Sequence, residues 1–333
     1  MKETLSDRCR LFIENRDVFG KTFRLESSYF YPVCAAMFTD RGRKADGETL
    51  KLCHNLLKSK VGAFSSFRGA ATPAVVAMLA LDESPEERLE RSIELYGALK
   101  EQFFGSDYLP VVAMILSGMI GRERHGEVSE RAGRIYQLMK EKHRWITSSE
   151  DTVFAAMLAL SDRGDEELIE ECEACFAELR ERFSAGNAVQ SLSHVLTLCD
   201  DGVRTATEKC RDVIRVYDSL KEKKNKYGMG YELATLGVIA MLPCGIDEAI
   251  RDLLDASAFL KTQKGYGVFG FTKAQRLMHA SMIVSGEHLG ASDTMAGAAV
   301  GSTLSMVAAQ QAATCAAISA STAATVAARS ASH

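Results

Sequence analysis

The residues best suited to chemistry in this chain fall on one helical stripe. Asn187, Gln190 and His194 lie three and four positions apart in the stretch GNAVQSLSHVL, so a helix there places all three on one face. A polar stripe on an otherwise apolar helix must meet water, a ligand or a partner network. Imidazole alone titrates unperturbed near neutrality, so His194 is the group that could do acid–base work. The competing reading is a buried structural histidine satisfied by Gln190 or a backbone carbonyl, because no nucleophile or metal partner accompanies it. A second set comprises Arg68, Asp107, Glu150, Asp151, Glu232 and Arg276, each near the start of an apolar helical stretch. On a curved stack of helices these would gather on one rim, either holding a polar ligand or pairing among themselves. Both sets are candidate ligand-binding residues, and no residue is assigned a catalytic role.

Other motifs carry less. Cys172-x-x-Cys175 lies within EECEACFAEL, far from a helix N-terminus that would activate a thiol, and no second pair completes a zinc site. Buried, inert thiols are expected there, and neither a metal nor a cofactor is implied. GYGVFGF, at residues 265–271, lacks the GK[ST] of a phosphate loop and reads as a turn into the last apolar helix. G-x-S-x-G and H-E-x-x-H do not occur.

The elements that must position these residues come from a repeat. VCAAMFT, VVAMLAL, VVAMILSG, FAAMLAL, LSHVLTL, LGVIAML and MHASMIV recur about every 40 residues, anchored on Met37, Met78, Met114, Met157, Val195, Val238 and Met282. Each apolar segment is followed by a charged amphipathic one such as SPEERLERSIELYGALKEQ, with Leu89, Ile93, Tyr96 and Leu99 on one stripe. The first helix of each pair is apolar on most sides and belongs inside; the second belongs outside. The fold class is therefore all-α: about seven helical hairpins forming a superhelical solenoid or an α/α toroid, over residues 1–291. An Ala-rich tail or helix follows over residues 292–333.

Local punctuation agrees. Gly42, Gly118, Gly164, Gly202, Gly245 and Gly286 follow first helices, where positive φ is common. Thr205-x-x-Glu208 and Thr147-x-x-Glu150 have capping-box spacing, and Ser84-Pro85 starts a helix. Ser148, Ser149, Glu150 and Asp151 are read mainly as helix-start chemistry.

A net charge of −4 gives no basic surface for nucleic acid. The charged opening MKETLSDRCRLF is not a leader peptide, and nine Cys without one read as free thiols in a reducing compartment, the cytoplasm. From Thr294 to Ala328 no residue is charged, and GAAVG has small-xxx-small spacing. That stretch is expected to self-associate by close helix packing; a disordered tail and membrane association are its alternatives.

FSSFRG, HRWITSSEDT and GNAVQSLSHVL, with the Ala-rich tail, resemble a bacterial family known as domain of unknown function 4003. The resemblance covers essentially the whole chain. It implies a helical bacterial protein and transfers no catalytic residue. The expected function is a non-catalytic binding or scaffold module using its inner helical face for a protein, peptide or small polar ligand. An enzyme of the α/α-toroid kind, with a pocket around His194 and the rim carboxylates, is the alternative; a membrane-peripheral protein held by the tail is a weaker one.

Overall fold

The structure is a computed structural model and describes residues 1–289 apart from 25, 27, 104–107, 231 and 268–269. Asp107 and the uncharged stretch 294–328, with its proposed self-association, lie outside the described residues. Among the described residues there are helices and no strand.

The chain opens with α1 (Glu3–Thr22), which the repeat did not anticipate. The seven anchors then fall on α2 (Phe30–Asp40), α4 (Thr72–Leu81), α6 (Leu109–Leu116), α8 (Thr152–Leu158), α10 (Gly186–Leu198), α12 (Leu233–Ala240) and α14 (Lys273–Leu289). Between them run the amphipathic helices α3 (Gly47–Lys60), α5 (Pro85–Gln102), α7 (His125–Lys142), α9 (Asp165–Arg180), α11 (Ala206–Glu222) and α13 (Ile246–Lys261). Every residue of α6, α8 and α12 is buried, as expected for helices apolar all round. The amphipathic helices bury one stripe only, for example Leu89, Ser92, Leu95 and Leu99 of α5.

Neighbouring elements pack in chain order. Anchor helices contact the next anchor helix from α2 through to α14, and amphipathic helices do the same from α3 through to α13. The ends also meet: α14 packs on α2, and α1 packs on α2, α3, α13 and α14. Leu5, Cys9, Phe12 and Phe19 of α1 are fully buried there. Arg8 pairs with Asp40 of α2 and donates from Nε to the Ile283 carbonyl of α14 at 3.3 Å, while Thr4 hydrogen-bonds Glu287.

The residue before the anchor is small in six of the seven copies (Ala36, Ala77, Ala113, Ala156, Gly237 and Ser281) and is His194 in the fifth. At Gly237 a Cβ would stand 2.8 Å from Leu192 Cδ1 and 3.1 Å from Val195 Cγ1, across the α10–α12 contact. Other local readings need revision. Gly42, Gly202 and Gly245 do adopt positive φ, at 59°, 66° and 81°. Gly118 does not, Gly164 sits at φ −63° ahead of α9, and Gly286 lies inside α14, which runs on past the expected stop. The Thr205–Glu208 capping box forms as read, whereas Ser84 precedes Pro85 without a side-chain cap.

Gly237→Ala should therefore overpack the α10–α12 contact and cost about 1–3 kcal/mol. Urea unfolding followed by helical circular dichroism measures this; an unchanged or raised midpoint would show that the contact has slack.

Candidate functional site

The loop before α8 and the middle of α10 bring two expected residues together. His194 Nδ1 stands 3.6 Å from Asp151 Oδ1, just beyond hydrogen-bond reach, and both side chains are sealed from solvent. The Asp151 carboxyl accepts from the Ser148 amide at 2.8 Å, and the His194 ring tilts against Phe154 with centroids 5.2 Å apart. Burial pushes the Asp151 pKa up to about 7 and, with the charge of His143 adding to it, pushes His194 down to about 3. The neutral pair is thus the stable one: a protonated carboxyl facing an uncharged imidazole. His143 lies with its Nε2 2.9 Å from Glu173 Oε1 and its ring against Phe176.

Gln190 is buried beside this pair and donates to Thr147 Oγ1 at 2.9 Å, and Thr147 reaches back to the Met139 carbonyl at 3.3 Å. Thr147 is therefore no helix cap. The first helical residue is Thr152, which puts Thr147 too far upstream, and the Thr147–Glu150 capping box does not form. Ser148 and Asp151 provide the helix-start hydrogen bonds instead, with Ser148 Oγ accepting from the Glu150 amide at 3.3 Å.

The remaining expected residues take separate environments. Asn187 is exposed on the first turn of α10, so the polar stripe runs from solvent into the core. Arg68 is half-buried, and burial together with the charges of Lys58 and Arg68 lowers the pKa of His54. Glu232 is buried just before α12, which raises its pKa, and its carboxylate rests against Gly228. Arg276 donates to Ser257 Oγ at 3.2 Å, and Glu150 is half-buried next to Asp151. Cys172 and Cys175 are buried as expected, with the Cys172 thiol pushed up to about 12 by burial.

Sequence reasoning missed a second polar centre. Tyr266 Oη and His279 Nδ1 of α14 lie 2.9 Å apart, both buried, with the Arg16 guanidinium of α1 5.4 Å from the Tyr266 ring centroid. Burial, with Arg16 adding to it, lowers the His279 pKa to about 3. A cleft of about 520 Å³ opens beside this centre, between α1, the residues leading into α2 and the loop before α14. The only hint in the sequence was GYGVFGF, set aside as a turn. Glu248, Asp252 and His288 also bring three ligand atoms within 4.8 Å of one another, but the Lys2 ammonium already bridges Glu248 and Asp252 there. Lys2 satisfies those carboxylates without a metal.

These observations define an all-helical protein, with titratable groups closed into its interior both just before the anchor helices, as Asp151 is, and within them, as His194 and His279 are. The chain belongs to the family described as Protein of unknown function (DUF4003), whose match spans residues 18–312. It is similar to the Uncharacterized protein YeaA of Bacillus subtilis (strain 168), at 23% identity over 216 residues. That match takes in 62% of this chain and 64% of the relative, so the chain spans less than two thirds of its length. No solved structure matches. No described helix is long and apolar enough to cross a membrane.

The Asp151–His194 pair makes a signed prediction. Asp151, with its pKa raised from 3.8 to about 7, contributes stability that is lost as pH rises through that window. His194, with its pKa lowered from 6.5 to about 3, contributes a stability loss as pH falls through its own window. From about pH 4 to 6.5 the pair holds one proton folded or unfolded, so the two slopes cancel. His194→Gln should leave the first slope alone, so stability relative to wild type falls as pH rises, by up to about 1.4 kcal/mol per unit. Asp151→Asn should leave the second, with the opposite sign. Parallel denaturant titrations across pH 4–6.5 decide the matter, and slopes of the same sign in both variants would refute the neutral pair.

Proposed function

We propose that the chain is a non-catalytic binding module built as a closed ring of seven helical hairpins, an α/α toroid. In this reading α1 is the seventh amphipathic helix: it packs on α2 as α3 packs on α4 and α5 on α6, and it lies between α13 and α3 in the outer run. The observation that carries the reading is the packing of α14 on α2 and of α1 on α13, which leaves neither run of helices with a free end. Short connections alternate the helix directions, so all anchor helices begin on one rim. Side chains with accessible surface at or near those starts include Arg68, Glu150, Asn187 and Arg276. That rim is the binding surface, and small polar ligands are its occupants.

The opposed pKa values of Asp151 and His194 are what favours an enzyme of the same architecture, because such shifts cluster at catalytic sites. Their burial, at 4% and 2% exposure, weighs against it: no substrate meets either group without opening the core. The free state of all eight described cysteines supports the cytoplasm as the compartment.

Two measurements test this reading. A Thr4→Cys/Glu287→Cys chain should be joined internally by a short bis-maleimide and migrate faster under denaturation, while neither single variant does. Absence of that band would open the ring. Native mass spectrometry of the gently purified full chain should show a bound species of small-molecule mass that is lost on denaturation. Uniformly ligand-free protein, unresponsive in thermal shift to a panel of charged metabolites, would remove the binding role.

A further inference from the structure

The cleft of about 520 Å³ has the size of a small-molecule site. Its floor is α1, its far wall is the loop before α14, and aromatic rings close its sides. Arg16 lines it while being only 7% exposed. Its Nε and Nη2 are held by Asp17 Oδ1 at 3.1 and 2.6 Å, but Nη1 is buried without any hydrogen-bond partner. A buried donor on a charged group left unpaired costs more than a neutral one, so a folded protein keeps one where something else supplies the acceptor. Nη1 lies beside Gly265, at φ +90°, with 3.8 Å between Nη1 and the place a Cβ would occupy.

Charge then narrows the acceptor. Lys21 and Lys264 line the same cleft and are exposed, so three cations face the one carboxylate of Asp17. The surplus of two positive charges matches a phosphate monoester, which carries about −1.5 to −2 near neutrality. The walls narrow the rest of the ligand. Tyr29 and Phe271 meet edge-on with centroids 6.3 Å apart, and Tyr31 forms part of the opposite side. Tyr31 donates its hydroxyl to the Glu26 carbonyl at 3.0 Å, which leaves its ring as apolar wall. Such side chains offer a stacking platform for a flat ring.

We propose that this cleft binds a phosphate monoester carrying a flat aromatic body, of the nucleotide class, with the phosphate at Arg16, Lys21 and Lys264 and the ring against Tyr29, Tyr31 and Phe271. The assignment rests on the binding-module reading and names the ligand class for one segment of its rim.

Isothermal titration of the full chain with adenosine 5′-monophosphate and with flavin mononucleotide tests it, using adenosine and inorganic phosphate as half-ligands. At least one whole ligand should bind tenfold or more tightly than either half. Lys21→Glu/Lys264→Glu, which alters only exposed side chains, should weaken it at least tenfold and abolish its salt dependence while the melting curve stays in place. Arg16→Lys should weaken it less than Arg16→Met. Where Arg16→Met fails to fold, the double lysine variant decides. Binding no tighter than inorganic phosphate, or unaffected by Lys21→Glu/Lys264→Glu, overturns the assignment. A co-purified species that persists in that variant would overturn this cleft while leaving the binding module standing.

Discussion

A helix that is apolar on every side cannot end an array. Phe30 to Thr39 of α2 form an unbroken buried run, and α14 is buried from Leu277 to Gly286. In an open stack these two helices would each present a bare apolar flank, at a cost of about 1.5–3 kcal/mol for every large side chain left in water. Their mutual contact removes that cost on both sides at once. For these two helices that contact does what a polar capping face does at the ends of open helical arrays. The charged helices outside are free to vary because they have only one stripe to satisfy.

The same constraint decides where polar chemistry can sit. A helix buried all round offers no lateral face to a ligand, so polar groups are either paired inside or pushed to the helix starts. Asp151 and His194 show the first solution: burial disfavours the charge of each, so the carboxyl keeps its proton and the imidazole gives its own up. Lys209 shows a different one, fully buried yet charged, because Glu171 and Asp200 each stand 2.6 Å from its Nζ. The contrast lies in the number of compensating partners. Two carboxylates, with Arg163 bridging them, hold the ammonium ionised, whereas a single carboxyl at 3.6 Å leaves the imidazole neutral.

The repeat was legible in the sequence because packing imposes it directly. Seven anchors, with a small residue before six of them, record one close helix contact made over and over, and Gly237 shows how little room that contact leaves. What was not legible depends on contacts that carry no local signature. α1 looks like any amphipathic helix, and only its position between α13 and α3 gives it the role of a missing seventh partner. The Thr147–Glu150 spacing suggested a cap, but Gln190, 43 positions away, claims the Thr147 hydroxyl. His194 was visible as an anomaly in its repeat, and Asp151 was visible as an acid near a helix start. Their pairing was not, since it joins two different repeats across the α8–α10 contact.

Arg16 and His279 escaped notice for a related reason. Each is one polar residue in a helix whose neighbours look ordinary, and they meet through Tyr266, in a loop rich in Gly. That meeting place is where the first helix of the chain touches the last. Elsewhere each contact joins consecutive repeats with matching residues, so apolar surfaces interlock. Where α1 meets α14, the repeat has no template, and the sequence fills the junction with aromatics, an arginine and glycines rather than Ala and Leu. A seam that cannot be closed by the repeating contact is the natural place in such a fold for a cleft, and the cleft lined by Tyr29, Tyr31 and Phe271 is found there. On the proposed reading, the α1–α14 junction and the capacity to hold a ligand have one physical origin.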